Sequence, residues 1–479
     1  ENHRRLDAIR EDNLRLTDPR TLSAAEADRI THDLPAIVWI SAGVHGNESS
    51  SPEAVLALAY QLAAGTDDRT TAILRDAVVV LDPTLNPDGR ERYVQWYHRT
   101  ATDPPTMGWD GAEHAEPWPG GRTNHYLFDL NRDWAWLTQQ ESQARIALFR
   151  RWMPHTHIDL HEMGAFSSYF FFPAAAPFHE ALPADAVKWG AIYGAANASA
   201  LDRIGAPYYV GENFDMFYPG YGDSWPTFNG AIGMTYEQAG SGRAGLAIRR
   251  PDGTLLTLGD RIRNHFATSF STLETTVRRK QERLRDYAAF WKSALDVPGT
   301  TRTILIRTDR DRSLGDRLAG ILLQNGIEVH RLTSPTTLAA RPYYPARTER
   351  TTFPEGTIVV SLSQPQRRLA TALLEPKTSA RDTFFYDISA WSLPVAYGLP
   401  AYESAAPLPS SSVLLTEPPA TEGHVTGGMA DVAYLIPWET RNASKVVWHL
   451  LLKGYVVHAA TRGFTLNGRT YGAGTAVLF

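Results

Sequence analysis

The chain has 479 residues, with 47 lysines and arginines against 52 aspartates and glutamates. A formal charge of −5 over that length leaves no basic footprint for nucleic acid, and no apolar run reaches the roughly 18 residues a membrane span requires. Apolar residues at 43% and charged residues at 21% are those of a folded globular protein, and the lack of cysteine excludes disulfides, thiol nucleophiles and cysteine-held metal sites.

Residues 1–20, ENHRRLDAIREDNLRLTDPR, show no signal-peptide pattern and read as an exposed helix. A chain that opens inside a helical pattern is expected to be processed or truncated, with a secreted or periplasmic location as the accompanying expectation. Ser23 and Glu26 have capping-box spacing and open a helix to residue 30. Residues 36–42, AIVWISA, are the short continuous apolar run of a buried strand. A helix over 52–64 ends at Gly65, a second buried strand covers 77–81, and Asn86-Pro87-Asp88-Gly89 marks a turn. This βαβ rhythm predicts an α/β fold with a mixed sheet and helices on both faces. Residues 100–124, rich in Gly, Pro and Trp and without a period, predict a long functional loop. A helix over 138–152, strands over 155–161, 169–172 and 231–236, and a long helical region over 261–294 complete a domain assigned to residues 1–297.

Beyond it, a strand is predicted over 303–306, then a helix capped by Ser313 with Leu314, Leu318, Ile321 and Leu322 on one face and Gly326 at its end. A loop over 333–354, a strand over 357–362, helices over 365–374 and 442–453 and a strand over 455–458 follow. Residues 298–479 therefore read as a smaller Rossmann- or flavodoxin-like α/β domain of accessory role, without a GxGxxG or Walker loop in the right place.

Four short segments carry chemistry. His45-x-x-Glu48 follows a strand and precedes a helix, a spacing at which imidazole and carboxylate can share a zinc ion; a capping His beside a surface Glu is the alternative. His155, His157, Asp159 and His161 have one parity, so they share one strand face, where His161 can be a ligand and an acid its outer partner, or a core histidine. The position three after Glu162 is Ala165, so the H-E-x-x-H helix is absent. Glu237 ends an apolar strand, where a carboxylate serves a site at the sheet's carboxyl edge or pairs with Arg243. Asn131-Arg132 can grip a carboxylate or start a helix.

In order and spacing these segments resemble the carboxypeptidase A-like zinc metallocarboxypeptidases. Asn86-Pro87-Asp88-Gly89, Asp129-Leu130-Asn131-Arg132-Asp133-Trp134, the apolar residues 169–173 and Glu237-Gln238-Ala239-Gly240 carry the likeness, which covers about residues 36–245. The resemblance implies one zinc held by His45, Glu48 and His161, with Asp129 orienting His45. It implies Glu237 as general base toward a metal-activated water, and Asn131 and Arg132 as the grip on a peptide's free terminal carboxylate. The family's carbonyl-polarising Arg has four candidates, Arg90, Arg92, Arg99 and Arg122, of which spacing favours Arg99 or Arg122. Its mobile Tyr has two, Tyr218 and Tyr221, and Asp223 is a candidate for the specificity pocket. The implied activity is hydrolysis of the C-terminal peptide bond. A zinc deacylase of N-acyl amino acids and a non-catalytic peptide-binding protein on the same scaffold are the alternatives.

Overall fold

The computed structural model describes residues 2–345, 347–379, 385–388, 390–420 and 423–479; residue 1 of the predicted opening helix and residue 346 of the predicted 333–354 loop lie outside the described residues. The chain divides into two compact units, one running to Asp296 and taking in Pro365–Trp391, the other formed by Val297–Gln364 and Ser392–Phe479. Among the described residues no helix is long and apolar enough to cross a membrane.

The first unit begins with α1 (Leu6–Leu16) and α2 (Ala24–Asp33), the latter opened by the Ser23–Glu26 capping box. Then come β1 (Ala36–Ala42), α3 (Ser50–Ala64), α4 (Asp68–Asp76), β2 (Ala77–Asp82) and α5 (Pro87–Thr100). After the long loop follow α6 (Gln140–Trp152), β3 (Thr156–Met163), β4 (Tyr169–Phe170), β5 (Ala175–Phe178), α7 (Asp185–Ile204), β6 (Asp215–Met216), α8 (Ser224–Phe228) and β7 (Ile232–Ala239). The helical region read over 261–294 is two helices, α9 (Leu258–Arg278) and α10 (Lys280–Ala294), parted at Arg279.

The central sheet has five strands in the order β2-β1-β3-β7-β4. The first four are parallel and β4 runs antiparallel to β7, so the sheet is mixed. β1 is buried along its whole length because it pairs on both edges and is covered on both faces, which is why its sequence is continuously apolar rather than alternating. On one face Val38, Ile40, Ile158, Leu160, Met234 and Tyr236 pack in one core with Val55 and Leu58 of α3, Trp189 of α7 and Leu273 of α9. On the other, Ile37 and Val78 pack with Ile9, Ile30 and Leu284 from α1, α2 and α10, and Trp39 meets Phe149 of α6 at 5.6 Å between ring centres. Each such aliphatic side chain contributes about 1.5–3 kcal/mol relative to exposure.

β3 sends Ile158 and Leu160 to the first face and His155, His157, Asp159 and His161 to the second. His155 accepts the Ile37 N–H at 2.8 Å and meets Asn13, and His157 meets Ser41 at 2.9 Å. Burial pushes both imidazoles down, His157 to about 4, so they serve the sheet as neutral groups. Glu162 is tied to Arg261 at 2.8 Å and to the Ser50 N–H at 3.1 Å, which fastens β3 to α3 and α9.

The second unit corrects the expectation of a Rossmann- or flavodoxin-like domain. Its seven-stranded sheet runs Glu349–Phe353, Thr336–Pro342, Ala401–Ser404, Thr303–Ile306, Ile358–Ser361, His330–Leu332, Ser412–Leu414. Every neighbouring pair in it is antiparallel. The strand–helix alternation near residue 303 resembles a crossover unit, but alternation does not encode strand direction, which long-range backbone pairing sets. The stretch read as a loop over 333–354 carries the hairpin Thr336–Pro342 and Glu349–Phe353. The helix Arg312–Gln324 is capped by Asp311, which accepts the Leu314 N–H at 3.0 Å, rather than by Ser313.

Candidate metal centre and active site

The carboxyl ends of β1, β3 and β7 open on a cavity of about 210 Å³ lined by His45, Glu48, Arg122, Asn131, Arg132 and Glu237, among others. Open α/β sheets place their ligands at this edge. β1 leaves the sheet at Gly43, whose φ of +66° lies in the left-handed region, and the chain then presses against the start of α5. A Cβ at Gly46 would stand 1.9 Å from the Arg90 nitrogen, so only glycine fits between His45 and Glu48 at that point. The Asn86-Pro87-Asp88-Gly89 segment is the buttress: Asn86 caps α5 by accepting the Gly89 N–H at 2.9 Å.

His45, Glu48 and His161 are buried, and their donor atoms lie within 4.8 Å of one another. His45 Nδ1 is 2.7 Å from Glu48 Oε1, and His161 Nδ1 is 3.1 Å from Glu48 Oε2. The outer nitrogen of each imidazole meets an acid, His45 Nε2 at 3.1 Å from Asp129 and His161 Nε2 at 3.0 Å from Asp159. Two carboxylates that hold the outer nitrogens turn both Nδ1 atoms inward, the pattern by which proteins fix metal-binding histidines. Burial opposes the charge on Glu48, yet the flanking imidazoles hold its carboxyl well below the ordinary range. Burial likewise opposes the imidazolium of His161, yet Asp159 and Glu48 drive its proton affinity well up. Two imidazoles and one carboxylate whose donor atoms lie this close form a donor set that suits zinc with a coordination position left open.

Glu237 is the fourth element. β3 and β7 pair His161 with Glu237 in parallel register, which brings the acid to the same cavity. Burial pushes its carboxyl up to about 8, with Glu48 adding to the rise and His161 and Arg122 opposing it. Arg243, the alternative partner for Glu237, donates instead to the His114 carbonyl at 3.2 Å.

Residues 19–170 match the zinc carboxypeptidase family. Over that stretch the chain is similar to this family. The match holds His45, Glu48, Arg122, Asp129, Asn131, Arg132 and His161, and ends before Glu237. The probable carboxypeptidase 2 of Arthroderma benhamiae is 32% identical over 128 residues, which are 27% of this chain and 19% of that protein. Carboxypeptidase 2 of Trichophyton rubrum is 30% identical over the same length and shares. The chain thus spans about one fifth of the length of these curated relatives. Among solved structures, a metallo-carboxypeptidase from Burkholderia cenocepacia aligns at a TM-score of 0.37 and 16% identity, over 50% of this chain and 57% of its own. Carboxypeptidase A from Helicoverpa armigera aligns at 0.35 and 17%, over 56% and 64%.

The remaining candidates sort by position. Arg122 lines the cavity, 3.4 Å from His45 Nδ1, and its Nη2 pairs with Asp129 at 2.9 Å. Arg99 does not line the cavity. It is exposed in the last turn of α5, a helix of 14 residues and so about 21 Å long, whose other end is the one at the cavity. Arg90 pairs with Glu53 at 2.8 Å, and Arg92 donates to the carbonyls of Gly120, Thr123 and Asn124. Tyr221 lines the cavity. Tyr218 does not; it is buried behind, where its hydroxyl donates to the Arg132 carbonyl at 2.8 Å and accepts from Trp136.

Asn131 is held inside the protein. Its Oδ1 accepts the Gly222 N–H at 3.0 Å, and its amide nitrogen lies 3.5 Å from His161 Nε2. Asp223 lines the cavity but accepts from Ser224 N–H and the Thr235 hydroxyl, and burial pushes its carboxyl up to about 7. Asp215, Tyr386 and Asp387 are site neighbours that the sequence reading did not name; Asp215 and Tyr386 line the cavity and Asp387 contacts Arg132. Asp215 opens the two-residue strand β6, too short to leave a pattern in the sequence, and the other two lie in a region read as the accessory domain, so no local pattern pointed to them.

Proposed function

We propose that the first unit is a zinc-dependent metallocarboxypeptidase that hydrolyses the C-terminal peptide bond of peptides, with Glu237 as general base. The observation that carries this reading is the joining of three buried donors, His45, Glu48 and His161, and a buried fourth acid, Glu237, at one cavity that also presents Arg122 and Arg132. Zinc held by His45, Glu48 and His161 supplies, when bound, Lewis acidity toward a carbonyl oxygen and toward water.

The chain's own residues do the rest. Glu237 in its ionised form takes a proton from the attacking water as the new C–O bond forms, and returns it to the amine nitrogen as the C–N bond breaks. Arg122 faces the cavity as a fixed cation and stabilises negative charge that develops on the carbonyl oxygen. Arg132 offers a guanidinium to a substrate's terminal carboxylate, which places the last peptide bond at the metal donors by positioning.

The test is elemental analysis of the full chain together with a digest of a peptide library read by mass spectrometry, with N-acyl amino acids assayed beside it. One zinc per chain and chelator-sensitive loss of single C-terminal residues are expected. Turnover of N-acyl amino acids without turnover of peptides would replace this reading by the deacylase one.

A further inference from the structure

Residues 385–388 pack with the first unit and reach the cavity from far along the chain. Arg132 Nε donates to Asp387 Oδ2 at 3.0 Å, and its Nη2 donates to the same oxygen. The Tyr221 hydroxyl donates to the other oxygen, Oδ1. The guanidinium also lies 4.9 Å from the centre of the Tyr221 ring and 5.7 Å from that of Tyr386. This carboxylate is held in place by its surroundings. The Tyr386 N–H donates to Asp215 at 2.6 Å, the Tyr386 ring lies 5.3 Å from Phe214, and Ile388 and Trp391 pack with Phe217, Tyr218 and Tyr221.

One carboxylate oxygen on a guanidinium and the other on a phenol is how Arg132 and Tyr221 would hold the terminal carboxylate of a peptide. Arg132 carries a single positive charge and already faces Asp129 at 3.9 Å, so two further carboxylates on it would repel each other. We infer that Asp387 is a specificity residue that acts as an internal competitor: its side chain occupies the anchor formed by Arg132 and Tyr221, and a substrate's terminal carboxylate binds by displacing it. The inference rests on the reading of Arg132 as that anchor. Displacement is open to solute because the Asp387 side chain is 37% exposed. The affinity for a free terminal acid falls by the fraction of molecules in which the anchor is vacant, whereas a ligand that does not use the anchor is unaffected.

Calorimetric titration of the full chain with N-benzoylglycine and with its amide reads this directly, without need of turnover. Asp387→Asn and Asp387→Ala are expected to bind the free acid about tenfold more tightly than the unaltered protein, with amide binding unchanged. In an Arg132→Ala background the same changes are expected to have no effect, as a pairwise coupling requires. For a benzoylglycyl dipeptide the KM falls in step while kcat stays within about twofold. Free-acid binding that is equal or weaker in both Asp387 variants, or a gain that survives Arg132→Ala, overturns the inference. Tighter acid binding with no peptide hydrolysis by any variant would leave the internal competitor standing and remove the carboxypeptidase reading. Hydrolysis with unshifted acid affinity would do the reverse.

Discussion

His161 on β3 and Glu237 on β7 stand across from each other in parallel register, so the proposed metal donor and the proposed base sit at facing positions of one rigid pair of strands. Each can then be changed with little effect on the other's backbone. Glu237→Gln keeps the shape of the side chain and removes its capacity to take a proton. The variant is expected to retain one zinc per chain by elemental analysis while kcat falls by about 10²–10⁴, the usual contribution of positioned proton transfer. Full activity in a zinc-loaded Glu237→Gln protein would end the assignment.

Asp159 touches no substrate in this scheme. It lies 3.0 Å from His161 Nε2, fully buried, and its role is to aim the ring. Asp159→Asn is expected to weaken zinc by about 10- to 100-fold in a competition titration with a chromophoric chelator. Asp129→Asn acts on His45 in the same way, through the contact at 3.1 Å. An unaltered zinc affinity in both variants would show that the rings are held by packing alone.

Gly222 is the backbone counterpart of Asp159. A Cβ there would lie 1.8 Å from Asp159 Oδ2, and its N–H already donates to Asn131 at 3.0 Å. Gly222→Ala must move one of the two, so zinc affinity is expected to fall while the far-ultraviolet dichroism stays that of the folded chain. A Gly222→Ala protein with native zinc affinity would contradict the tight approach.

The two arginines favoured by spacing differ by position alone. Arg122→Ala removes one of the two arginines that line the cavity and is expected to lower kcat by about 10²–10³, the size typical for loss of one oxyanion donor. Arg99→Ala, at the far end of α5, should leave kcat/KM unaltered. The reverse ranking would move the electrophile to Arg99.

Asp223 links stability to pH. Its carboxyl is pushed by burial from the ordinary 3.8 up to about 7, so the folded chain binds that proton more tightly than the unfolded chain. The stabilisation is complete below about pH 4 and is lost as pH rises through 7. Asp223→Asn cannot ionise and lacks this dependence. Its melting temperature relative to the unaltered protein should therefore climb between pH 4 and pH 8. A constant difference over that range would mean that the Thr235 and Ser224 donors keep the carboxylate charged in both states.

Local chemistry determined much of this protein in advance. The continuous apolar run of β1, the Ser23–Glu26 capping box and the one-sided histidines of β3 follow from burial, capping and the two-residue period of a strand, all readable within a few residues. The order His45-x-x-Glu48, Asn131-Arg132, His161, Glu237 pointed to one centre because those residues sit in distinctive short segments. Tertiary structure decided the rest. Which arginine faces the cavity depends on the length and direction of α5, and which tyrosine does depends on how the loop before α8 packs; neither is a property of spacing. Strand direction in the second unit depends on pairing partners tens of residues apart, so an alternating pattern there concealed an antiparallel sheet. Asp387 was invisible for the same reason: a carboxylate 255 residues from Arg132 becomes its partner only when the folded backbone carries it there.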